Sequence, residues 1–462
     1  MIAPARRAAF AALVDIAGNR VDLDQAVENA RQGLTDARDV ALLREIVTGT
    51  LRWQARLDWR LAPLSRVPLN RLDLEVLVAL RMAAYQLEFL DRVPASAVVN
   101  DTVALVRRAR KASAAGLVNA VLRRLAGGER TALPVAPAEA PVAEVASALA
   151  VSSAHPAWLI ERWLARDPRQ VVEALLAFNN QPPPMTLRVN PLAGVTRDEV
   201  AAQLAADGIE TSPCGGAPLG LVVGAGLAVS HPALAAGAFT IQDEGSQLAA
   251  LVAPVVAGAR VLDVCAAPGG KALAYAWAAG PTGHVVACDI RPRRLEVLRA
   301  TLTRGHAATA EVVAVDEHHA LPFAPVYDVV AVDAPCSGLG TLRRDPDIKW
   351  RRTPEDLARF QARQVDLLAR AAAVVAPGGR LVYTTCSTEP EENIEVVRRV
   401  LALVPGFRLG RADAGPSGQI LAPFVESDGC LRTHSVRHGL EGYFGAVLER
   451  RLDGPPPPAV VQ

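Results

Sequence analysis

The sequence is poor in the marks of several common protein classes. Its six cysteines (214, 265, 288, 336, 386 and 430) form no CxxC pair, and its eight histidines, His318-His319 included, show no zinc-ligand spacing, which argues against a metal site. Residues 1–13 are Ala-rich and Arg-punctuated and lack the apolar core of a secretory signal, and no apolar run approaches the ~20 residues of a membrane helix. These absences predict a cytoplasmic protein with reduced thiols and no membrane partner. There is neither a GxGxxG dinucleotide fingerprint nor a phosphate loop, since the Gly-rich turn at 265–271 would need Gly at Cys265 and Ser or Thr at Ala272. Net charge is also low, at +1, but unevenly spread. Residues 1–130 carry 20 Lys/Arg against 14 Asp/Glu, a balance of +6, and the remainder 29 against 34, a balance of −5. A basic first third points to a polyanionic partner, although excess arginine is also what an ordinary solvated surface carries.

What is present divides the chain. At 462 residues it is too long for one core. Residues 1–126 read as helical throughout: Phe10, Leu13 and Val14, then Leu42, Leu43, Ile46 and Val47, then Leu74, Leu77 and Leu80 recur at helical spacing without strand alternation, predicting an all-α bundle. Residues 127–151 open on Gly127-Gly128 and are rich in Ala, Pro and Glu, the composition of a linker. Residues 152–237 mix helices at 156–166 and 168–178, the second capped by Asp167, with an alternating strand at 185–190 and a helix at 197–207, predicting a small α+β module that binds RNA. From 238 to 453, strands at 260–264, 284–290, 311–315, 327–332 and 380–384 alternate with helices, one of them announced by Thr353-Pro354-Glu355-Asp356. That alternation predicts a doubly wound α/β domain. Residues 454–462 read as a disordered, Pro-rich tail.

Two stretches carry the chemistry. Asp333-Ala334-Pro335-Cys336 and Thr384-Thr385-Cys386-Ser387 follow the runs Val329-Val330-Ala331-Val332 and Leu381-Val382-Tyr383, so each places a cysteine just past a buried strand. In open parallel sheets, ligands bind outside the carboxyl ends of the strands, so two thiols and the Asp333 carboxylate can converge on one pocket. A thiolate adds to an electron-poor ring carbon, although a cysteine is also often no more than a small core hydrophobe. The turn Cys265-Ala266-Ala267-Pro268-Gly269-Gly270-Lys271 lets a ligand approach the backbone and a helix N-terminus. The next two strands end at Asp289, suited to a ribose diol, and Asp316, suited to an adenine amino group; each can equally be a cap or turn residue. Three such strand ends together favour an adenosine-type cofactor. Between the two cysteines, Arg343, Arg344, Lys349 and Trp350 are predicted to contact RNA phosphates and bases, the alternative being a solvated loop around a buried tryptophan. His434 and Arg437 receive no role.

The stretches DVCAAPGGK, VDAPCSGLGTLRRDPDIKW and YTTCSTEPEEN resemble the RNA 5-methylcytosine methyltransferases of the NOL/NOP/Sun (NSUN) family, over about residues 155–450. The helical first 126 residues resemble a NusB-type RNA-binding domain, a pairing that marks the RsmB (Sun/Fmu) branch. The resemblance implies a Rossmann-like class I methyltransferase domain that binds S-adenosyl-L-methionine at the 265–271 turn, with Asp289 on the ribose and Asp316 near the adenine. It implies Cys386 as nucleophile at cytosine C6, Asp333 on the cytosine edge, Cys336 in breakdown of the adduct, and small-subunit (16S) ribosomal RNA as substrate, with no oligomer required. The family's closing Asp-Gly-Phe-Phe is here Glu441-Gly442-Tyr443-Phe444, which keeps charge and aromatic character. The residues alone leave both cysteines competent; only the resemblance selects Cys386. Two other readings compete: an RNA-binding factor that kept the fold without catalysis, and a DNA cytosine-C5 methyltransferase attacking with the Pro-Cys cysteine, for which Cys386 would be superfluous.

Overall fold

A computed structural model describes residues 2–453 apart from 227, 317 and 318; the tail expected at 454–462 lies outside the described residues. The chain forms two units. The first, Met1–Pro182 with Leu342–Arg352, is helical. The helix Leu74–Phe89 buries Val76, Val78, Leu80, Met82 and Tyr85 because it packs against Pro4–Ala17, Ala37–Arg52, Gln54–Leu61, Ala95–Arg108 and Ala115–Ala126, leaving little of its circumference for water. Part of the basic surplus is neutralised internally: Arg6 pairs with Asp101 at 2.6 Å, Arg56 with Glu88 at 2.6 Å and Arg81 with Asp58 at 2.7 Å.

Two boundaries differ from expectation. Residues 127–151 are not a free linker: the helix Val142–Ser152 buries Val145, Ala146 and Ala148, and ahead of it Trp59 Nε1 donates to the Ala132 carbonyl (3.0 Å) and Arg169 Nη1 to that of Pro137 (2.7 Å). Alanine is the strongest helix former and packs closely, so an Ala-rich segment beside other helices joins them. By packing, the helices Ala157–Leu164 and Arg169–Asn179 group with this unit, which runs to Pro182, past the boundary expected at 151/152; the second is entered through Pro168 at the cap position, not Asp167.

The second unit, Pro183–Thr341 with Thr353–Gln462, holds two sheets. In the smaller, β1 (Met185–Val189), β2 (Glu210–Pro213), β3 (Gly220–Ala225) and β4 (Phe239–Ile241) run antiparallel in the order β2-β3-β1-β4. The larger contains β5 (Arg260–Asp263), β6 (His284–Asp289), β7 (Ala310–Ala314), β8 (Tyr327–Asp333), β9 (Val375–Thr385), β10 (Phe407–Leu409), β11 (Leu431–Arg432) and β12 (Phe444–Arg450). Its order is β10-β12-β9-β8-β5-β6-β7, with β11 on β12; β5 to β9 are parallel, and β12 is antiparallel to β9 and to β10. Val261, Leu262, Val329, Val330, Leu381 and Val382 are all buried, as strands of a sheet covered on both faces must be. The order reverses between β5 and β8, which opens a crevice at their carboxyl ends. The helix Pro354–Ala372 starts as its sequence predicts, with proline in the first turn and Thr353 N–H donating to Asp356 Oδ2 at 3.0 Å. The antiparallel edge was not predicted, because Gly445 and the charged pair Glu449-Arg450 interrupt the pattern of β12. Among the described residues no helix is long and apolar enough to cross a membrane.

Candidate active site

The crevice of the second unit is built by strand register. β8 and β9 pair so that Asp333 lies opposite Thr384, and Thr384 Oγ1 donates to Asp333 Oδ1 at 2.8 Å. The chain leaves both strands at that level, and three residues past Asp333 and two past Thr384 the sulfurs of Cys336 and Cys386 lie 3.3 Å apart. From the other side of the crevice, Lys271, at the start of the helix Gly270–Ala279, places its Nζ 2.7 Å from Asp333 Oδ2. Three sequence-predicted residues, Asp333, Cys336 and Cys386, are thus brought together, and Lys271 joins them as a direct partner of Asp333.

The loops that carry the sulfurs are fixed by contacts the sequence did not announce. Glu392 is fully buried, and its carboxylate accepts from Ser337 N–H (2.7 Å), the Ser337 hydroxyl, the Ser387 hydroxyl (2.6 Å) and Gln364 Nε2 (3.1 Å). One carboxylate therefore holds the residue that follows each cysteine, and a carboxylate with charge-assisted bonds to both loops fixes their separation. The available signal was the repeat Cys-Ser in both stretches together with the buried acid of Glu391-Glu392-Asn393. Gly340 donates to the Cys386 carbonyl (3.0 Å) and accepts from Gly442 N–H (2.8 Å); a Cβ there would lie 2.0 Å from the Gly442 oxygen, so only glycine allows this three-loop crossing. Next to Gly442, Tyr443 sets its ring 5.7 Å from the Lys271 ammonium. The altered closing motif is thus part of the site wall.

A cavity of about 460 Å³ opens beside these groups, lined by Cys386, Asp333, Lys271, Tyr443, Asp263 and the turn residues Cys265, Ala266, Ala267, Pro268 and Gly270. Cys386 lines it and Cys336 does not. The hydrogen bond to Cys386, followed by burial, holds the Cys336 thiol well above its ordinary pKa, and the two sulfurs share one S–H···S contact. Burial alone would lower the Lys271 ammonium, but the charge and hydrogen bond of Asp333 outweigh it and raise its pKa, so a fixed positive charge stands at the cavity.

The cofactor-type residues fit an adenosylated amino acid. Asp263 is 1% exposed and neither carboxyl oxygen has a hydrogen bond of ordinary geometry, the Cys265 N–H making only a loose backbone hydrogen bond to it. Burial and then the charge of Asp333 push Asp263 up to about 8, and an ammonium group in the cavity would relieve that cost. Cys265 also borders a second, narrower space whose lining mixes Asp289 and Asp316 with Arg294, Arg363 and Arg370 and with the apolar Ile290, Leu321 and Pro335. Asp289 is buried, accepting from Arg291 N–H at 3.2 Å, with Arg294 Nε at 3.5 Å. Asp316 is open to solvent and meets His319 Nδ1 at 3.1 Å. His434 lies 3.0 Å from Glu426, away from the cavity lining.

The basic run between the cysteines corrects the sequence reading. Arg343 and Lys349 are buried within the first unit, and Arg344 and Trp350 are half-buried. Lys349 Nζ bonds Asn180 Oδ1 at 2.8 Å and the carbonyls of Arg52 and Ala154 at 3.4 Å, Trp350 Nε1 donates to the Leu51 carbonyl at 2.6 Å, and the Arg343 guanidinium lies 4.0 Å from the Phe178 ring centroid. The physical reason is the end of the helix Ala37–Arg52, whose last carbonyls lack intrahelical donors and attract cations. Burial, then the charge of Arg52, lowers the Lys349 ammonium well below its usual range. Lys349 is a structural donor here, buried on neutral oxygens.

Comparison with known proteins places this geometry. Residues 250–449 match the family model described as 16S rRNA methyltransferase RsmB/F, residues 3–127 the NusB family, and residues 155–230 the ferredoxin-like domain of RsmF/B-like methyltransferases. Ribosomal RNA small subunit methyltransferase B of Pseudomonas putida is 37% identical over 414 residues, 87% of this chain and 90% of that protein. The protein of the same name from Pseudomonas syringae pv. tomato is 36% identical over 420 residues, 89% and 91% of the two chains. A solved crystal structure, PH0851, matches with a TM-score of 0.80 at 25% identity, covering 97% of this chain and 99% of that one.

Proposed function

The chain belongs to the RsmB/F family of 16S rRNA methyltransferases, and on that premise we propose that it forms 5-methylcytosine in small-subunit ribosomal RNA through a covalent bond between Cys386 and C6 of the base. S-adenosylmethionine is the cofactor of this family and supplies, when bound, an electrophilic methyl group. Asp263 would take its ammonium, the 265–271 turn its backbone, Asp289 its ribose and Asp316 the adenine edge.

The chain's own residues carry the remaining chemistry. Cytosine C5 is too weak a nucleophile to take a methyl group directly. The Cys386 thiolate forms an S–C6 bond, the C5–C6 π pair shifts to C4–C5, the C4–N3 π pair moves onto N3, and N3 takes a proton from water, which leaves C5 enamine-like and nucleophilic. Asp333, its two oxygens anchored by Thr384 and Lys271, holds the cytosine edge while this happens. Lys271 places positive charge in the cavity that the Cys386 sulfur lines. After methylation, water takes the C5 proton, the C5–H pair forms the C5–C6 double bond, the S–C6 bond breaks with its electron pair returning to Cys386, and N3 gives its proton back to water. Cys336, 3.3 Å away, shares a hydrogen bond with the departing sulfur.

The observation that carries the assignment is that Cys386, and not Cys336, lines the cavity with Asp333 and Lys271. A DNA-type mechanism would need attack by Cys336, which does not line the cavity. The test is a denaturing gel of wild type, Cys336→Ala and Cys386→Ala incubated with 16S ribosomal RNA and S-adenosylmethionine. A protein–RNA adduct that accumulates only in Cys336→Ala is expected. An adduct in Cys386→Ala instead would reverse the roles, and neither adduct nor 5-methylcytosine in any sample would sink the proposal.

A further inference from the structure

Elsewhere in the second unit, Arg359, Arg370, Arg408, Arg411 and Arg432 each form an ion pair, and the exposed arginines without one among the described residues come at most two to a helix, as at Arg398 and Arg399. The helix Pro292–Arg304 and its entry residue are different. Residues 291–304 hold five arginines and one acid, Glu296, and only Arg294 pairs, with Asp289; Arg291, Arg293, Arg299 and Arg304 are exposed and form no ion pair among the described residues. Leaving four like charges unpaired on one short element costs self-repulsion, which a polyanion would relieve.

The helix also borders the reaction cavity. Val297, Thr301 and Arg304 line it, and Arg293 lies on the same face by the helical period. Val297 is 52% exposed, an apolar step between two cations. On the adjacent face, Arg299, Thr303 and His306 border a second concave space of about 630 Å³. Arg293 and Arg304, eleven residues apart, are separated by about 16 Å along the axis, enough for more than one nucleotide.

We propose that the helix Pro292–Arg304 is the track on which the RNA strand flanking the target cytosine lies, with Arg293, Arg299 and Arg304 on successive phosphates and Val297 against a base. This rests on the RNA methyltransferase reading above and adds where the strand runs. RNA fits better than a protein partner because the cations continue into the cavity that must receive an unpaired base, and because the exposed apolar surface between them is a single side chain.

The test measures binding of naked 16S ribosomal RNA across a potassium chloride series for wild type, an Arg293→Ala/Arg299→Ala/Arg304→Ala triple variant and the matching triple Lys variant. The Ala triple should bind 10- to 100-fold more weakly, with the slope of log affinity against log salt shallower by about 0.7 for each phosphate no longer neutralised. Its KM for RNA should rise, and the Lys triple, which keeps the charges, should recover most of the loss; an Arg293→Ala/Arg299→Ala double variant, which leaves the cavity lining untouched, should raise KM while kcat and the affinity for S-adenosylmethionine stay within about twofold of wild type. Unchanged affinity and slope in the Ala triple would overturn the track, as would a loss that the Lys triple does not recover or an intact RNA slope with loss of a protein partner. Failure of wild type to methylate the RNA would overturn the functional reading instead, and the salt slopes would still decide the track.

Discussion

Lys271 and Lys349, two of the three lysines in the chain, are both nearly inaccessible, at 8% and 1% exposure, yet one ends above its ordinary pKa and the other far below. Burial pushes both down. In the second unit, the Asp333 carboxylate at 2.7 Å reverses the push. In the first unit, Lys349 meets only neutral oxygens, and the nearby Arg52 adds to the push. Charge is thus maintained where a cavity opens and avoided where helices close. What a buried lysine does follows from its partners, and its position in a basic or Gly-rich stretch does not decide it.

Substituting each lysine is the most direct way to break this contrast. Lys271→Met should lower kcat by about 10²- to 10³-fold, the scale of losing one preorganised charge beside a reacting group, with little change in the urea midpoint, because Asp333 keeps Thr384 and partial contact with solvent. Unchanged turnover would remove Lys271 from the chemistry. Lys349→Ala should act the other way, costing about 2–4 kcal/mol of stability by leaving buried carbonyls without a donor and opening a cavity, while the folded protein keeps its kcat and its KM for 16S ribosomal RNA. A variant of normal urea midpoint that binds the RNA poorly would reinstate Lys349 as an RNA contact.

The same contrast shows what was legible in the sequence. Asp333, Cys336 and Cys386 could be found because each follows a β-branched run, and parallel pairing of two such runs sets their ends side by side. The α/β class and the helical first third were legible for the same reason: periodicity survives in the local pattern. Glu392 was not, because its donors come from Ser337, Gln364 and Ser387, up to 55 residues away, and nothing local says they converge. Residues 342–352 read as an RNA-contacting loop of the α/β domain. That they belong with the helical unit depends on free carbonyls at the end of the helix Ala37–Arg52, which no local pattern reveals. Val142–Ser152 failed as a linker because composition was weighed above the packing that alanine permits.

Asp263 sharpens the contrast with a smaller effect, because it is a buried acid on the Lys271 side whose charge awaits a ligand. Burial, with Asp333 nearby, moves it from 3.8 to about 8, so the free folded protein holds a proton that the unfolded chain has already lost. Across about pH 4 to 8 the folded state therefore binds more protons, and this group's contribution to stability falls as pH rises. A bound ammonium inverts the preference, because it stabilises the carboxylate. Binding of S-adenosylmethionine should then expel a proton, and affinity should climb by up to about tenfold per pH unit between about pH 5 and 7, where the cofactor's own amino group stays protonated. Calorimetry at pH 6.5 in two buffers of different ionisation enthalpy should count close to one proton released in wild type and close to none in Asp263→Asn. Equal counts in the two proteins would mean that the cofactor's cation does not sit on Asp263, leaving this carboxyl as a neutral member of the core.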